Sequence, residues 1–173
     1  MAHSIELLLD PRADACVRQI WHALADARLP SQVRVTSDTN RPHITLLAAE
    51  RISPDVDGML AELVDLFPVR AVLGAPLIFG GARLTLARSV VASSALLALH
   101  EQVLALSEPH VSTLFAHSTP GHWTPHVTLG RRFTPAQIGE ALAVSGVAAD
   151  IEADIVGLRR WDSDARTEHV LIN

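Results

Sequence analysis

Residues 42–46 read PHITL and residues 125–129 read PHVTL. A strand needs only alternating hydrophobicity, which many residue types supply. It does not need His and Thr at the same two places in both copies. Side chains of a strand alternate faces with a period of two. His43 and Thr45 therefore share one face, with Ile44 and Leu46 on the other. His126 and Thr128 likewise stand opposite Val127 and Leu129. The Ile-to-Val exchange falls on the face that fills a core, where only bulk matters. Each copy thus presents an imidazole and a hydroxyl on one side and aliphatics on the other.

Working outward, each pentapeptide is followed within about ten residues by a Pro-initiated helix signal, Ser53-Pro54 after the first and Thr134-Pro135 after the second. This echo predicts two related halves packed about a pseudo-two-fold axis. Ser4–Leu9 reads as a strand. Asp10-Pro11 opens a helix whose buried face carries Val17, Ile20, Trp21 and Leu24, with Pro30 beyond its end. Val33–Thr36 and Pro42–Leu47 read as strands. A second helix is predicted from Ser53 to about Phe67, with Leu60, Leu63, Val64 and Phe67 inward. Val69–Leu73, Leu77–Phe79 and Leu84–Ala87 form a meander turning at Gly80-Gly81. Ser94 caps a third helix to about Leu106. A polar loop rich in His runs from about Ser107 to Thr124. After the second motif come a helix from Thr134 to about Val144 and two strands, Ile151–Trp161 and Glu168–Ile172. This order is α+β rather than a regular βαβ array. No linker divides the chain, so residues 1–173 are read as one bilobed domain.

The chain has 173 residues and is 49% apolar, enough for a sizeable core. The start MAHSIELLLD is interrupted by Glu6 and Asp10 and does not read as a secretory signal. The uncharged stretches are too short to span a membrane. The single cysteine, Cys16, precludes an intrachain disulfide and a Cys-based metal cage. A cytoplasmic monomer without membrane attachment is the expectation. The net charge of −5 argues against a grip on an extended nucleic-acid duplex, but not against binding one phosphate or a small nucleotide. All 14 basic residues are Arg, the side chain whose planar fork suits phosphate.

If the two halves face each other, the motif faces form a cleft bearing two His and two Thr. One neutral imidazole can take a proton from water while a protonated one gives a proton to a leaving group. The hydroxyls can donate to non-bridging phosphoryl oxygens. In-line displacement at phosphorus places attacking and leaving oxygens on opposite sides, which suits catalysts on opposite walls.

Duplicated His-x-Thr in a small α+β chain resembles the 2H phosphoesterase superfamily, and more narrowly the bacterial 2′-5′ RNA ligase / RNA 2′,3′-cyclic phosphodiesterase family. IELLLDPRADACVRQIWHAL, RPHITL, GAPLIFGGARLTLA, ALLALHEQV and GHWTPHVTLGRR all fall where that family would place them, so the likeness covers essentially the whole chain. It implies a bilobed fold of two pseudo-symmetric antiparallel β-sheet lobes with outer helices and a central cleft. It implies His43 and His126 as the catalytic pair, Thr45 and Thr128 as phosphate-binding hydroxyls, and no metal or other cofactor. Such enzymes open a 2′,3′-cyclic phosphate to a 2′-phosphate, and some join RNA ends through a 2′-5′ bond. The partner would be an RNA end or a small cyclic nucleotide. The family pattern makes the first His the acid and the second the base; the near-identical halves themselves leave both assignments open. The alternative is a nucleotide or RNA-end binding module of the same fold without turnover.

Around the motifs, Arg41 and Arg131 could reach a phosphate or form surface ion pairs. Arg83, Arg88 and Arg132 are weaker candidates of the same kind. Trp123 could stack a base or fill the interface between the halves. Phe79 and Phe115 read as core. The His122-x₃-His126 spacing would suit a metal only on a helix, and Pro125 lies inside it.

Overall fold

Asp10 shows how local chemistry sets the frame. In the computed structural model, which describes residues 2–144 and 146–173, it caps helix α1 (Pro11–Asp26), accepting the backbone N–H groups of Arg12 and Ala13 at 2.9 and 3.1 Å. Its second carboxylate oxygen accepts the N–H of Asp154 at 2.8 Å, pinning the helix start to a distant strand. Val17, Ile20, Trp21 and Leu24 are all buried, as their spacing predicts.

Among the described residues, eight antiparallel strands form one sheet: β1 (His3–Leu9), β2 (His43–Ile52), β3 (Val69–Phe79), β4 (Leu84–Val90), β5 (Val111–Leu114), β6 (His126–Phe133), β7 (Ile151–Asp162) and β8 (Thr167–Ile172). The order is β5-β2-β1-β7-β3-β4-β6, with β8 also on β7. The two halves meet through the long β7. It pairs with β1 from Ile155 to Trp161, and with β3 from Ile151 to Ile155. Three further helices, α2 (Asp57–Ala61), α3 (Ser94–Ser107) and α4 (Pro135–Leu142), complete the α+β architecture. Thr134 and Gln137 form a reciprocal capping box at the start of α4.

Five expectations are corrected. Val69–Leu73 and Leu77–Phe79 are parts of one strand, β3, rather than two. The cap of α3 is Ser93, not Ser94. Val33–Thr36 is not a strand; Gln32–Arg34 forms a single 3₁₀ turn capped by Ser31. The helix predicted from Ser53 to Phe67 is broken into 3₁₀ turns around the short α2. Leu60 and Leu63 are buried there, but Val64 is 52% exposed. The loop from Ser107 to Thr124 contains β5, which adds to β2 opposite Ala49, Arg51 and Ile52.

The motif strands occupy matched positions in their halves. On β2, His43 lies opposite Leu8, Thr45 opposite Glu6 and Ala48 opposite Ser4, with a register shift beside Glu6. On β6, His126 lies opposite Ser89, Thr128 opposite Ala87 and Arg131 opposite Thr85, with a register shift beside Ala87. Each motif is therefore followed by one extra residue of strand that keeps the third position after Thr on the cleft face. The pseudo-two-fold predicted from the repeat is present in the register of the two motif strands.

Candidate active site

The two His rings are held in the same way. Nδ1 of His43 donates to the carbonyl of Arg41 at 2.8 Å, and Nδ1 of His126 to the carbonyl of Thr124 at 2.8 Å. A carbonyl oxygen only accepts, so Nδ1 carries the proton in both rings. In each, Nε2 is left to take or give a proton. The device is local: the carbonyl lies two residues back, across the Pro that opens each pentapeptide, which sets the chain extended there.

Both rings and both hydroxyls, Thr45 and Thr128, line one cleft of about 820 Å³. Val127 and Leu129 on the opposite face are fully buried, as are Ile44 and Leu46. The period-two reading of the repeat is thus how the strands are oriented.

Arg131 lines the cleft on the His126 side. Arg41 does not; its guanidinium pairs with Glu168. Arg88 is fully buried and donates to the carbonyls of Leu73, Gly74 and Gly146, which anchors β4 to β3 where their register shifts. Arg83 and Arg132 lie exposed and away from the lining. Trp123 lines the cleft edge but is half-buried. Its indole lies flat on His100, with centroids 4.1 Å apart, and its N–H donates to the Thr45 carbonyl at 2.9 Å. It braces the first motif strand. Of the His-rich loop, His117 and His122 line the cleft with His126, whereas His110 closes the 3₁₀ turn before β5.

Two residues read as core belong to the site instead. Phe79, at the end of β3, places its ring 4.6 Å from that of His126, and Phe115 also lines the cleft. Trp161 adds a further aromatic wall. The scarcity of aromatics in the chain hid their concentration around one cavity.

Ser4, Glu6 and Arg159 also line the cleft, and the sequence reading missed them. Glu6 Oε1 accepts from Ser4 Oγ at 2.6 Å and lies 3.6 Å from Nε2 of His43. Glu6 Oε2 takes both Nε and Nη2 of Arg159, at 2.7 and 2.6 Å. Arg159 Nη1 goes on to the Thr39 carbonyl and to Glu168. Burial pushes the Glu6 carboxyl up, but His43, Arg159 and the Ser4 hydrogen bond outweigh it and hold it below the usual carboxylate value. The signal was present: one acid in an otherwise apolar strand, SIELLL, needs a buried partner, and Arg159 sits inside another apolar strand.

His126 titrates below the ordinary imidazole value. Burial disfavours the charged ring, and the positive charges of His43, Arg131 and His117 push the same way; the Thr124 carbonyl opposes them only in part. A neutral ring at physiological pH with a free Nε2 lone pair is a proton acceptor.

Comparison with known proteins gives the family and the fold. The family model described as the 2′-5′ RNA ligase superfamily matches residues 8–167, and the chain belongs to that superfamily, the 2H phosphoesterases. No curated protein matches it in sequence. Its fold is that of Kluyveromyces marxianus Usb1, at 11% identity and TM-score 0.56, covering 99% of this chain and 98% of that one. E. coli LigT complexed with 3′-AMP is similar at 12% identity and TM-score 0.54, covering 99% and 93%. TT0787 of Thermus thermophilus is similar at 20% identity and TM-score 0.53, covering 99% and 95%.

Proposed function

We propose that the protein is a metal-independent phosphodiesterase that opens 2′,3′-cyclic phosphates, at RNA ends or in small nucleotides, to 2′-phosphates. The observation that carries this reading is the matched pair of rings, each with Nδ1 spent on a backbone carbonyl and Nε2 turned to the same cleft. Family membership supports it. So do similar folds seen with mononucleotides, LigT with 3′-AMP and Usb1 with uridine monophosphate.

In this mechanism water attacks phosphorus while the bond to O3′ breaks. Nε2 of neutral His126 takes the water proton. Nε2 of protonated His43 gives its proton to O3′, which leaves as the 3′-hydroxyl. Thr45, Thr128 and Arg131 donate to the non-bridging oxygens, whose charge grows in the transition state. With a ribose 5′-hydroxyl attacking phosphorus in place of water, and O3′ again leaving as the 3′-hydroxyl, the same groups would form a 2′-5′ link.

The test is hydrolysis of nucleoside 2′,3′-cyclic phosphates in EDTA, with products identified as 2′- or 3′-phosphates. His43→Ala and His126→Ala are each expected to lose roughly 10²–10⁴-fold in kcat, the usual worth of a positioned acid or base. Full activity in either variant removes the mechanism. Thermal stabilisation by nucleotides without turnover of any cyclic phosphate would make the protein a binding module instead.

A further inference from the structure

The pseudo-two-fold that matches the two motifs is broken at one pair of positions beneath the Thr residues. Opposite Thr45 stands Glu6; opposite Thr128, at the equivalent place, stands Ala87. Glu6 is only 5% exposed, yet it lines the cleft and faces Nε2 of His43 at 3.6 Å. Nε2 is the nitrogen left free by the Arg41 carbonyl, the one that would meet substrate. A second break lies three residues past each Thr, where Ala48 corresponds to Arg131. One motif is thus paired with a carboxylate and the other with a guanidinium.

The geometry points to Glu6 as the positioning residue that separates the roles of two otherwise equivalent His. Its carboxylate, set 3.6 Å from His43 Nε2, places a negative charge beside the ring that must carry a proton to act as the acid, and so assigns that role to His43. Glu6 itself touches no reacting atom; it acts through the ring. This deepens the proposed mechanism and rests on it. The charges around His43 come from four strands and the segment before β2. Glu6 is on β1. Arg159, on β7, binds the other carboxylate oxygen of Glu6. Glu168, on β8, joins Arg159 to Arg41. His126, on β6, faces it across the cleft. Glu6 is the acid of that set in reach of Nε2. The arrangement differs from a catalytic triad, where the carboxylate holds the far nitrogen. Here a backbone carbonyl holds the far nitrogen, and the carboxylate stands beside the working one. The Arg159 pair keeps Glu6 ionised in the low-dielectric floor.

The experiment compares wild type with Glu6→Gln and Glu6→Asp, read by the pH profile of kcat/KM and, independently of turnover, by NMR titration of the His43 ring. In a bell-shaped profile the alkaline limb reports the acid and the acid limb the base. In Glu6→Gln the alkaline limb is expected to move to lower pH while the acid limb stays. Activity above neutral pH should fall roughly tenfold, the effect of removing one nearby opposite charge. Glu6→Asp, which keeps the charge, should restore part of the alkaline limb. The NMR midpoint of His43 should move to lower pH in Glu6→Gln. A uniform drop in rate with both limbs and the His43 midpoint unmoved, in a variant with wild-type amide dispersion, overturns the proposal. If wild type turns over no cyclic phosphate, the mechanism fails, but the NMR midpoints still decide whether Glu6 controls His43.

Discussion

The indole N–H of Trp123 donates to the main-chain carbonyl of Thr45 at 2.9 Å, and the same bond recurs with the halves exchanged: Trp21 donates to the carbonyl of Thr128 at 3.1 Å. Each motif strand is braced by an indole that the other half supplies. The reason lies in the sheet. β6 ends it, and β5 covers β2 only from Ala49 to Ile52, so both Thr carbonyls lie on strand edges without ladder partners on that side. A buried carbonyl left unpaired costs free energy, and a Trp donor removes that cost while filling the space.

Replacing Trp123 with Phe keeps most of the ring but removes the donor. The expected loss is about 1–3 kcal/mol in urea unfolding, the cost of orphaning a buried acceptor. Because the bond holds the backbone between His43 and the core, kcat should fall while KM changes less. Trp21→Phe should act alike through Thr128. Unchanged stability in both variants would show that the braces are incidental.

Gly130 sits where β6 shifts register after Thr128. A Cβ there would meet the Pro30 carbonyl oxygen at 2.5 Å and the Phe133 ring at 2.9 Å. Backbone cannot yield as a flexible side chain can. Gly130→Ala is therefore expected to cost about 1–3 kcal/mol, as overpacking does, and to displace Arg131 from the cleft. A melting temperature equal to wild type would contradict this.

Stability should fall on acidification in two stages. His100 and His126 both titrate below the ordinary value of 6.5, chiefly because burial disfavours their charged forms. The unfolded chain then binds more protons than the fold, so this contribution is present above about pH 6.5 and is lost as pH falls below it. Glu6 is held below its ordinary 4.5, so its contribution persists until pH falls under that value. Melting temperatures measured from pH 8 to 4 should decline first below neutrality and again below about pH 4.5. His100→Gln, which retains a donor for the Ser118 carbonyl, should flatten the first decline. A melting temperature constant down to pH 5 would refute the assignment.

Arg131 and Arg41 should separate cleanly in kinetics. Arg131 lines the cleft and is exposed, whereas Arg41 is tied to Glu168. Arg131→Ala is expected to weaken kcat/KM for a cyclic phosphate by about 1.5–3 kcal/mol, the worth of a hydrogen bond to a charged group. Arg41→Ala should leave binding nearly intact and act on stability, by no more than about 1 kcal/mol for a pair that solvent reaches. Equal kinetic losses would place both guanidinia at the phosphate.

Period, caps and repetition were legible before any coordinates, because each is written within a few neighbouring residues. Asp10-Pro11 and the Thr134–Gln137 box start helices by local hydrogen bonds, and PHITL and PHVTL orient their strands by alternation alone; the cap of the third helix, read as Ser94, is the adjacent Ser93. The reading failed where a local pattern was ambiguous or absent. Val64 follows a helical spacing, but the segment around it breaks into 3₁₀ turns and leaves it in solvent. β5 has four residues, too few to show a period, and pairs with the edge of β2.

The two His-x-Thr pairs, their orientation and the tautomer of both rings follow from the order of residues, since a strand's alternation and a carbonyl two positions back are near in the chain. The difference between the pairs does not. Glu6 reaches His43 only because β1 lies beside β2 in one particular register, and its charge is tolerated only because Arg159, 153 residues later, is buried against it. Contacts of that separation depend on closure of the whole sheet, so the symmetry could be read from the chain and its breaking only from the fold.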